Sequence, residues 1–365
     1  MNTFNPNYVT VPGATLLDTI SSIGMSQIEL AQRTGKTPKT INEIIKGKAP
    51  ITSETAIQFE TVLGVPASFW NNLEKNYREG LARIAALNQL KAQVSWLQKF
   101  PVQQMISYKW IPAGKTEKAE QLVDLLSFFG ISHPLHWGRI YKNLKLEYRK
   151  VYSGEPNFNS LTAWLRMGEL VARGIDCKPF NQSAFLDTLR GIRDLTTKDI
   201  EHAQGEIIKR CAEVGVAVAC VRELPKIHVC GATRWLSPEK AMIQLSLIYK
   251  TNDQFWFTFF HEAGHIHLHG KKDVFVDGPK VQNQKEDEAN KFAEDILLPK
   301  RDFDEFKNGE LTKQAILQFS YKNKIAPGLV VGRLQHYKVI PYYKFHYLKR
   351  VFEWKRPEVN STSSN

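Results

Sequence analysis

The sequence has little cysteine, and its cysteines are not spaced as pairs. None of the four belongs to a CxxC motif: they are Cys177, Cys211, Cys220 and Cys230. Such irregular spacing argues against a disulfide framework and favours small buried residues in a reducing compartment.

Long apolar runs are also missing. The longest stretches, such as residues 214–221, are far too short to span a bilayer. Residues 1–13 have neither a basic start nor an apolar run, so the sequence shows no signal peptide. We therefore expect a cytoplasmic protein without a membrane partner.

Acidic residues are outnumbered by basic ones. The chain has 37 Asp and Glu against 49 Lys and Arg, a formal net charge of +12. This excess favours an anionic partner such as nucleic acid, although charge alone carries no sequence specificity. At 365 residues the chain is too long for one typical core, and 42% hydrophobic residues are ordinary for a globular protein. Two or three domains are expected.

Residues 16–70 are predicted to form a group of short helices. The first has an apolar side of Leu16, Leu17, Ile20 and Ile23. The second opens with a capping box from Ser26 to Glu29, and the third opens with Thr37 as N-cap and Pro38 in its first turn. Helix, glycine-containing turn and helix make the helix-turn-helix pattern, whose second helix enters the major groove of DNA.

The third helix also has suitable polar residues for contacting DNA. Asn can bond adenine, Glu can accept from cytosine, and Lys and Thr bond phosphates or bases. The candidate DNA-binding residues are Lys36, Pro38, Lys39, Thr40, Asn42, Glu43, Lys46 and Lys48. From the pattern alone, a small helical packing domain with a solvated polar face is the alternative.

The residues from Met25 to Gly47 resemble the helix-turn-helix of the XRE family, of the Cro/CI type. The continuation from Ala49 to Trp70 is similar to the HigA branch of that family, the antitoxin-type repressors. This resemblance implies binding to a double-stranded DNA operator, usually as a homodimer on a palindromic sequence.

The region that follows, residues 71–210, is predicted to be helical and shows no recognisable chemistry. Apolar residues recur every three or four positions from Leu73 to Leu97, which predicts one long amphipathic helix ending before Pro101. We expect that helix to lie on the next domain rather than to pair with its twin, because it lacks a strict seven-residue repeat.

The clearest chemistry in the sequence is the HExxH motif of His261, Glu262 and His265. On a helix, residues i and i+4 lie on one face, so both imidazoles could bind one zinc ion. Glu262 would then be the general base that takes a proton from the attacking water. Two ligands do not complete such a site, and the alternative is a helix with merely packed or solvated histidines.

A third ligand is suggested by the helix predicted around residues 285–299. Glu286, Ala289 and Asn290 share one face, so Glu286 could complete the site and Asn290 could orient a ligand. Glu288 should point away, and His269 near the end of the first helix is the weaker alternative. From the residues alone, an exposed acidic first turn, which the helix dipole also favours, explains these glutamates better.

Taken together, residues 257–270 and 286–299 resemble the ImmA/IrrE family of metallopeptidases. The resemblance, over residues 214–340, implies a zincin-like α+β domain with His261, His265 and Glu286 as zinc ligands and Glu262 as base. Zn²⁺ is the implied ion, with Mn²⁺ as the alternative. It also implies a protein substrate, a repressor or an antitoxin, lying along residues 241–248 as an edge strand.

The predicted fold class is therefore α+β. Its parts are a helix-turn-helix domain (16–70), a helical middle region (71–210), a zinc peptidase domain (214–340) and a disordered tail (355–365). The run 342–354 is expected to form a packed terminal strand. The predicted function is a DNA-binding regulator with a zinc endopeptidase domain. The alternative is a non-enzymatic HigA-like antitoxin or repressor whose metal site is structural or sensory.

Overall fold

Helices make up most of the chain, and one small sheet lies in its C-terminal half. The computed structural model describes residues 9–114, 116–142, 158–270, 275–276 and 284–354. The predicted tail, residues 355–365, lies outside this description. The chain forms two units, residues 1–96 with 114–124, and residues 97–113 with 125–365. The predicted α+β class, with an all-α N-terminal part, is confirmed.

The first unit begins with five helices. They are α1 (Pro12–Ser22), α2 (Gln27–Thr34), α3 (Pro38–Ile45), α4 (Ser53–Leu63) and α5 (Ala67–Lys91). Side-chain caps begin two of them as expected: Ser26 Oγ accepts from the Glu29 amide at 3.1 Å, and Thr37 Oγ1 accepts from the Thr40 amide at 3.1 Å. The core contains Leu16, Ile20, Leu30, Ile41, Phe59 and Trp70.

Three details of the N-terminal prediction are wrong. Leu17 and Ile23 are exposed, because α1 buries a narrower stripe than the one predicted. The Glu29 carboxylate does not return to the cap but pairs with Arg33 at 2.8 Å, four residues along the same helix. The long helix ends at Lys91, and a 3₁₀ segment at Val94–Lys99 follows. The chain leaves α-helical geometry after Lys91, and the 3₁₀ segment and the residue after it bury Leu97 and Phe100.

Helices also dominate the region before the sheet. They are α6 (Val102–Ser107), α7 (Lys118–Phe129), α8 (Pro134–Ile140), α9 (Phe158–Gly174), α10 (Gln182–Ile192) and α11 (Ile200–Ala212), with a 3₁₀ turn at Arg193–Thr197. Trp164 of α9 is fully buried, and its indole N–H donates to the carbonyl of Val221 at 3.1 Å. This bond ties α9 to the end of the first strand.

The sheet has four strands in the order β1-β3-β2-β4. They are β1 (Val216–Cys220), β2 (Gly231–Ser237), β3 (Lys240–Leu245) and β4 (Phe275–Val276). β1 pairs with β3 in parallel, and the other two pairings are antiparallel. The prediction that residues 241–248 form an edge strand is wrong, because β3 is central. Its residues from Ala241 to Leu245 are all buried, as in a strand covered on both faces.

Five helices follow the third strand. They are α12 (Asn252–Leu268), α13 (Gln284–Leu297), α14 (Lys300–Lys307), α15 (Lys313–Lys322) and α16 (Pro327–His336). α12 packs against β2 and β3 through its aromatic run and against α13 and α16 elsewhere. The predicted strand over 342–354 is wrong: this segment has a 3₁₀ turn at His346–Leu348 and one bridge, Thr251 to Val351. Within this segment, the Phe352 ring packs edge-on against the Phe255 ring of α12.

The helices in the described part of the chain differ in length or apolar character from those that span membranes. None of its helices combines the length and the apolar character that crossing a bilayer requires.

The contact between α9 and the sheet depends on Gly168. A Cβ atom there would lie 1.8 Å from Gln244 Oε1, and the buried Gln244 amide donates to the Trp164 carbonyl at 2.7 Å. We predict that Gly168→Ala lowers the free energy of unfolding by about 1–3 kcal/mol, as overpacking does. The loss should be smaller in a Gln244→Ala background, since the colliding atom is then absent. Thermal denaturation measures both effects.

Gly205 in α11 is the matched control. A Cβ atom there meets nothing within 4 Å, so Gly205→Ala should stabilise the protein by about 0.5–1 kcal/mol through helix propensity. Equal effects at Gly168 and Gly205 would contradict the proposed collision.

Candidate metal centre and helix-turn-helix

The three residues of the HExxH motif are buried on α12. His261, Glu262 and His265 expose 3%, 0% and 2% of their surface, directly after the aromatic run that packs on the sheet. Burying polar side chains beside such a run is costly unless other groups bind them. The position of these residues therefore points to a defined set of partners.

The two histidines meet Glu286 at one point. His261 Nε2 lies 3.1 Å from Glu286 Oε2 and 3.1 Å from His265 Nε2, while His265 Nε2 lies 3.5 Å from the same carboxylate oxygen. The potential ligand atoms all lie within 4.8 Å of one another. Ligands about 2.0–2.1 Å from a tetrahedral zinc ion would be about 3.3 Å apart. The observed spacing and the donor set of two imidazoles and one carboxylate therefore fit zinc.

Charge within the cluster also favours a bound cation. Burial raises the pKa of Glu286, but hydrogen bonds and charge interactions with His261 and His265, in the form that carries a proton on Nε2, outweigh it and lower this pKa to about 2. Burial lowers the pKa of His265, an effect that Glu286 partly opposes. At neutral pH the cluster thus offers an ionised carboxylate and a neutral imidazole, the protonation states that bind metal.

Close packing of two helices brings Glu286 to the histidines. A Cβ atom at Gly264 would lie 3.1 Å from Phe292 Cδ1 and 3.2 Å from the Ala289 Cα, so a larger residue would force α12 and α13 apart. Ala289 is fully buried at this contact, in agreement with the expectation that it lets the helices approach.

Asn290 lies where the sequence predicted an orienting group. Its Oδ1 is 2.9 Å from His261 Nδ1. Because an amide oxygen only accepts, Nδ1 carries the proton and leaves the Nε2 lone pair facing Glu286.

The two weaker candidates, His269 and Glu288, lie outside this cluster but beside it. His269 Nδ1 is 3.0 Å from His265 Nδ1, and His269 Nε2 is 3.1 Å from Glu288 Oε2. Glu288 points away from the ligand cluster, as expected, and its carboxylate binds His269. The i+2 spacing from Glu286 turns its side chain toward the end of α12 instead.

Glu262 has a partner that sequence reasoning missed. Thr233 Oγ1 on β2 donates to Glu262 Oε2 at 2.6 Å. Gly231 begins the same strand, and a Cβ atom there would lie 2.6 Å from Glu262 Oε1. The space for this carboxylate therefore depends on a glycine at the start of β2. The residues of β2 do not alternate regularly between apolar and polar side chains. Only their position between two segments rich in turn-forming residues could have indicated a strand.

Four side chains of this domain could in principle stabilise an oxyanion: Arg333, Tyr337, Tyr249 and His228. Arg333 and Tyr337 are both bound to Glu294: Arg333 Nη2 lies 3.2 Å and the Tyr337 hydroxyl 2.8 Å from its Oε2. Tyr249 and His228 have exposed side chains.

The helix-turn-helix residues lie on α2, α3 and the turns beside them. Gly35 ends α2 with a φ of 68°, which favours glycine and starts the turn into α3. Five of the candidate DNA-binding residues are exposed: Pro38, Lys39, Asn42, Lys46 and Lys48. Lys36, Thr40 and Glu43 are half-buried, and Thr40 Oγ1 is bound to Thr37 Oγ1 at 2.9 Å. The structure therefore uses Thr40 in capping α3.

Two segments match models of known families. Residues 22–70 match the helix-turn-helix model. Residues 238–326, which include the whole metal cluster, match the model of the M78 peptidase family, the IrrE N-terminal-like domain. The chain carries a helix-turn-helix domain and an IrrE-like domain. Peptidases of the M78 family are generally metal-dependent.

Three solved structures each resemble less than a quarter of this chain. A Pseudomonas aeruginosa protein in complex with its operator DNA is 26% identical, over 21% of this chain and 85% of its own, with a TM-score of 0.21. The antitoxin HigA of the same organism with the higBA promoter is 26% identical, over 23% and 94%, with a TM-score of 0.22. A HigA-family antidote protein from Coxiella burnetii is 24% identical, over 24% and 92%, with a TM-score of 0.21. The search of curated proteins gave no match.

The IrrE-like domain has a cavity of about 140 Å³ next to the cluster. Phe257 lines this cavity. The Phe257 ring also stacks on the His261 ring, with the two centroids 6.2 Å apart. The remaining wall combines apolar residues with the polar and charged residues Asp253, Gln254, Glu294, Arg333 and His336, and its buried leucines are Leu297, Leu298 and Leu329. The cavity is close to the 150 Å³ that holds a benzene molecule in an apolar protein interior.

The first turn of α12 is anchored by the segment after α16. Lys349 Nζ lies 2.6 Å from Asp253 Oδ2, with both side chains at most 7% exposed. Asn252 and Arg350 exchange two hydrogen bonds, at 2.9 and 3.0 Å. The helix that holds the cluster therefore begins at a buried ion pair.

We predict that Lys349→Met destabilises the IrrE-like domain by about 3–5 kcal/mol, because it leaves Asp253 as an unpaired buried charge. The double variant Lys349→Met, Asp253→Leu should regain much of that loss. Thermal denaturation of the single and double variants measures this, and equal melting temperatures for the two would contradict the anchoring role.

Proposed function

We propose that this protein is an operator-binding transcription regulator whose IrrE-like domain is a zinc endopeptidase. Its substrate would be another protein, a repressor or an antitoxin. The observation that carries the proposal is the convergence of His261, His265 and Glu286, with the buried carboxylate of Glu262 on the same helix.

The geometry supports a catalytic site more than a structural one. Structural zinc sites have four protein ligands, whereas catalytic sites keep a position open. The cluster has three protein ligands among the described residues. Glu262 is not one of them, yet the fold buries it fully and holds it through Thr233. Burying a carboxylate that binds no metal is costly, and a purely structural site gains nothing from it.

Each residue then has a distinct role. His261, His265 and Glu286 would hold the ion, which when bound supplies Lewis-acid chemistry toward a water and the scissile carbonyl. Glu262 accepts a proton from the attacking water at its carboxylate and returns it to the departing amine. Thr233 keeps Glu262 Oε2 in place, so that the carboxylate does not swing between rotamers.

A polypeptide substrate is supported by the cavity beside the cluster. The leucines and Phe257 in its wall would contact an apolar side chain of the substrate, and Glu294, Arg333 and His336 add charged and polar groups to the same wall. The prediction of a peptide lying along residues 241–248 is not kept, because β3 is the central strand.

The DNA-binding part of the proposal rests on the helix-turn-helix domain and the basic charge. Exposed lysines on and beside α3 would neutralise phosphates, and Asn42 would contact bases. Binding as a homodimer would place two copies of α3 about 34 Å apart on a palindromic operator.

The peptidase is tested with Glu262→Gln, which keeps the side-chain size and removes the base. We expect the variant to retain one zinc ion per chain and to lose cleavage by at least about a hundredfold, the scale of general-base catalysis. Both zinc-loaded proteins are incubated with cell extract, and new protein N-termini are identified by mass spectrometry.

His265→Ala is the companion variant, expected to lose both the zinc and the cleavage. Peptides cut equally by wild-type protein and Glu262→Gln would remove Glu262 from its role. A wild-type protein that binds zinc but cuts nothing would favour the alternative of a non-enzymatic regulator.

DNA binding is tested with Lys39→Ala. Losing one phosphate contact should weaken operator binding and reduce the slope of log K against log salt by about 1. Lys75→Ala is the control, since it removes the same charge from an exposed position on α5 that is not among the predicted DNA-binding residues. Operator fragments selected from genomic DNA are titrated at several salt concentrations, and equal slopes for the two variants would contradict the assignment.

A further inference from the structure

His269 lies just past the end of α12, next to the metal cluster but outside it. Its ring is only 4% exposed, and it lies between His265 and Glu288. His265 Nδ1 is 3.0 Å from His269 Nδ1, and His269 Nε2 is 3.1 Å from Glu288 Oε2. The three side chains therefore form one continuous hydrogen-bonded path that ends at an ionisable carboxylate.

The backbone explains how His269 reaches that position. α12 ends at Leu268, and His269 is extended with φ −112° and ψ 167° while its amide still donates to the His265 carbonyl at 3.1 Å. The chain leaves the helix at this residue and keeps its ring beside that of His265, with centroids 5.0 Å apart.

Glu288 is fixed from both sides. Gln284 Nε2 donates to its Oε1 at 2.9 Å, one turn earlier on α13, while His269 binds Oε2. The carboxylate thus has a defined position, although its side chain is 44% exposed.

One assignment of protons satisfies every bond along the path. The ionised carboxylate of Glu288 only accepts, so His269 Nε2 carries a proton and His269 Nδ1 is an acceptor. His265 Nδ1 must then donate, which leaves the lone pair of His265 Nε2 facing Glu286 and His261. This is the tautomer that a metal ligand requires.

We propose that His269 and Glu288 are positioning residues that hold His265 in its metal-binding tautomer and orientation. The proposal rests on the metal centre of the proposed function and adds a role for two residues outside the ligand set. It also makes the two histidine ligands unequal: Asn290 supports His261 through a neutral amide, whereas an imidazole and a carboxylate support His265.

His269 is not assigned as a fourth ligand. Its Nε2 binds Glu288 and its Nδ1 binds His265, so both ring nitrogens already have partners away from the point where the three ligand atoms converge.

The test measures zinc affinity in the full chain by competition with a chromophoric chelator. His269→Ala removes the whole path and should weaken zinc binding by about 10–100-fold, the usual effect of losing such an outer partner. His269→Asn can still accept from His265 but cannot reach Glu288, and Glu288→Gln removes only the charge. Both should give smaller losses.

Asp287→Asn is the matched control, because it removes one negative charge from the same turn of α13 at an exposed position. It should leave zinc affinity unchanged. The visible absorption of the Co²⁺-substituted protein should change in His269→Ala and not in Asp287→Asn, because only the former releases His265.

Zinc affinity in His269→Ala within about threefold of the wild type, with the same cobalt spectrum, would overturn the proposal. So would equal losses in Asp287→Asn and Glu288→Gln, which would indicate a general charge effect. Because Glu288 is largely exposed, its variant keeps the test valid if His269→Ala fails to fold. If the wild type binds zinc but cleaves nothing, only the peptidase proposal fails; if it binds no zinc, both fail.

Discussion

The metal cluster depends on the close approach of α12 and α13 at Gly264 and Ala289. Only a residue without a side chain lets the Ala289 backbone come this near, and the Glu286 carboxylate reaches both histidines because of it. The three converging atoms are all acceptors, which repel one another unless a cation or a proton lies among them. The packing of the two helices therefore imposes an electrostatic strain that a bound metal ion relieves.

The two proposed activities would rest on opposite kinds of interaction. The metal centre is built from buried groups with fixed partners, where a change of one atom is felt through the packing. The DNA-binding face of α3 is built from exposed lysines and an amide, whose individual contributions are small and screened by salt. A single substitution in the metal centre could therefore abolish proteolysis, whereas a single substitution on the exposed face of α3 would only weaken DNA binding.

Local patterns predicted the site where neighbours in sequence are neighbours in space. The spacing of His261 and His265, the face shared by Glu286 and Asn290, and the caps at Ser26 and Thr37 all follow from helix geometry. The contacts that the sheet makes with the site could not be predicted in the same way. β2 has no regular alternation, so its Thr233 and Gly231 gave no sign of their contacts with Glu262.

The central place of β3 and the role of His269 escaped prediction for a related reason. An apolar run such as 241–245 indicates burial but not which strands flank it, since pairing is decided by distant segments. The position of His269 depends on where α12 ends, and helix ends are read from sequence less reliably than helix faces. The family resemblances supplied the architecture that periodicity alone did not.

The anchoring of α12 by residues 349–352 has a consequence for the order of assembly. During synthesis the ribosome releases the HExxH helix well before Lys349, so the buried Asp253 has no partner while the rest of the domain emerges. Until the late segment arrives, packing α12 against the sheet would bury Asp253 without the Lys349 ammonium group and Asn252 without its two hydrogen bonds. A nascent or truncated chain lacking that segment would thus carry the helix-turn-helix domain beside an IrrE-like domain whose HExxH helix still lacks its anchor.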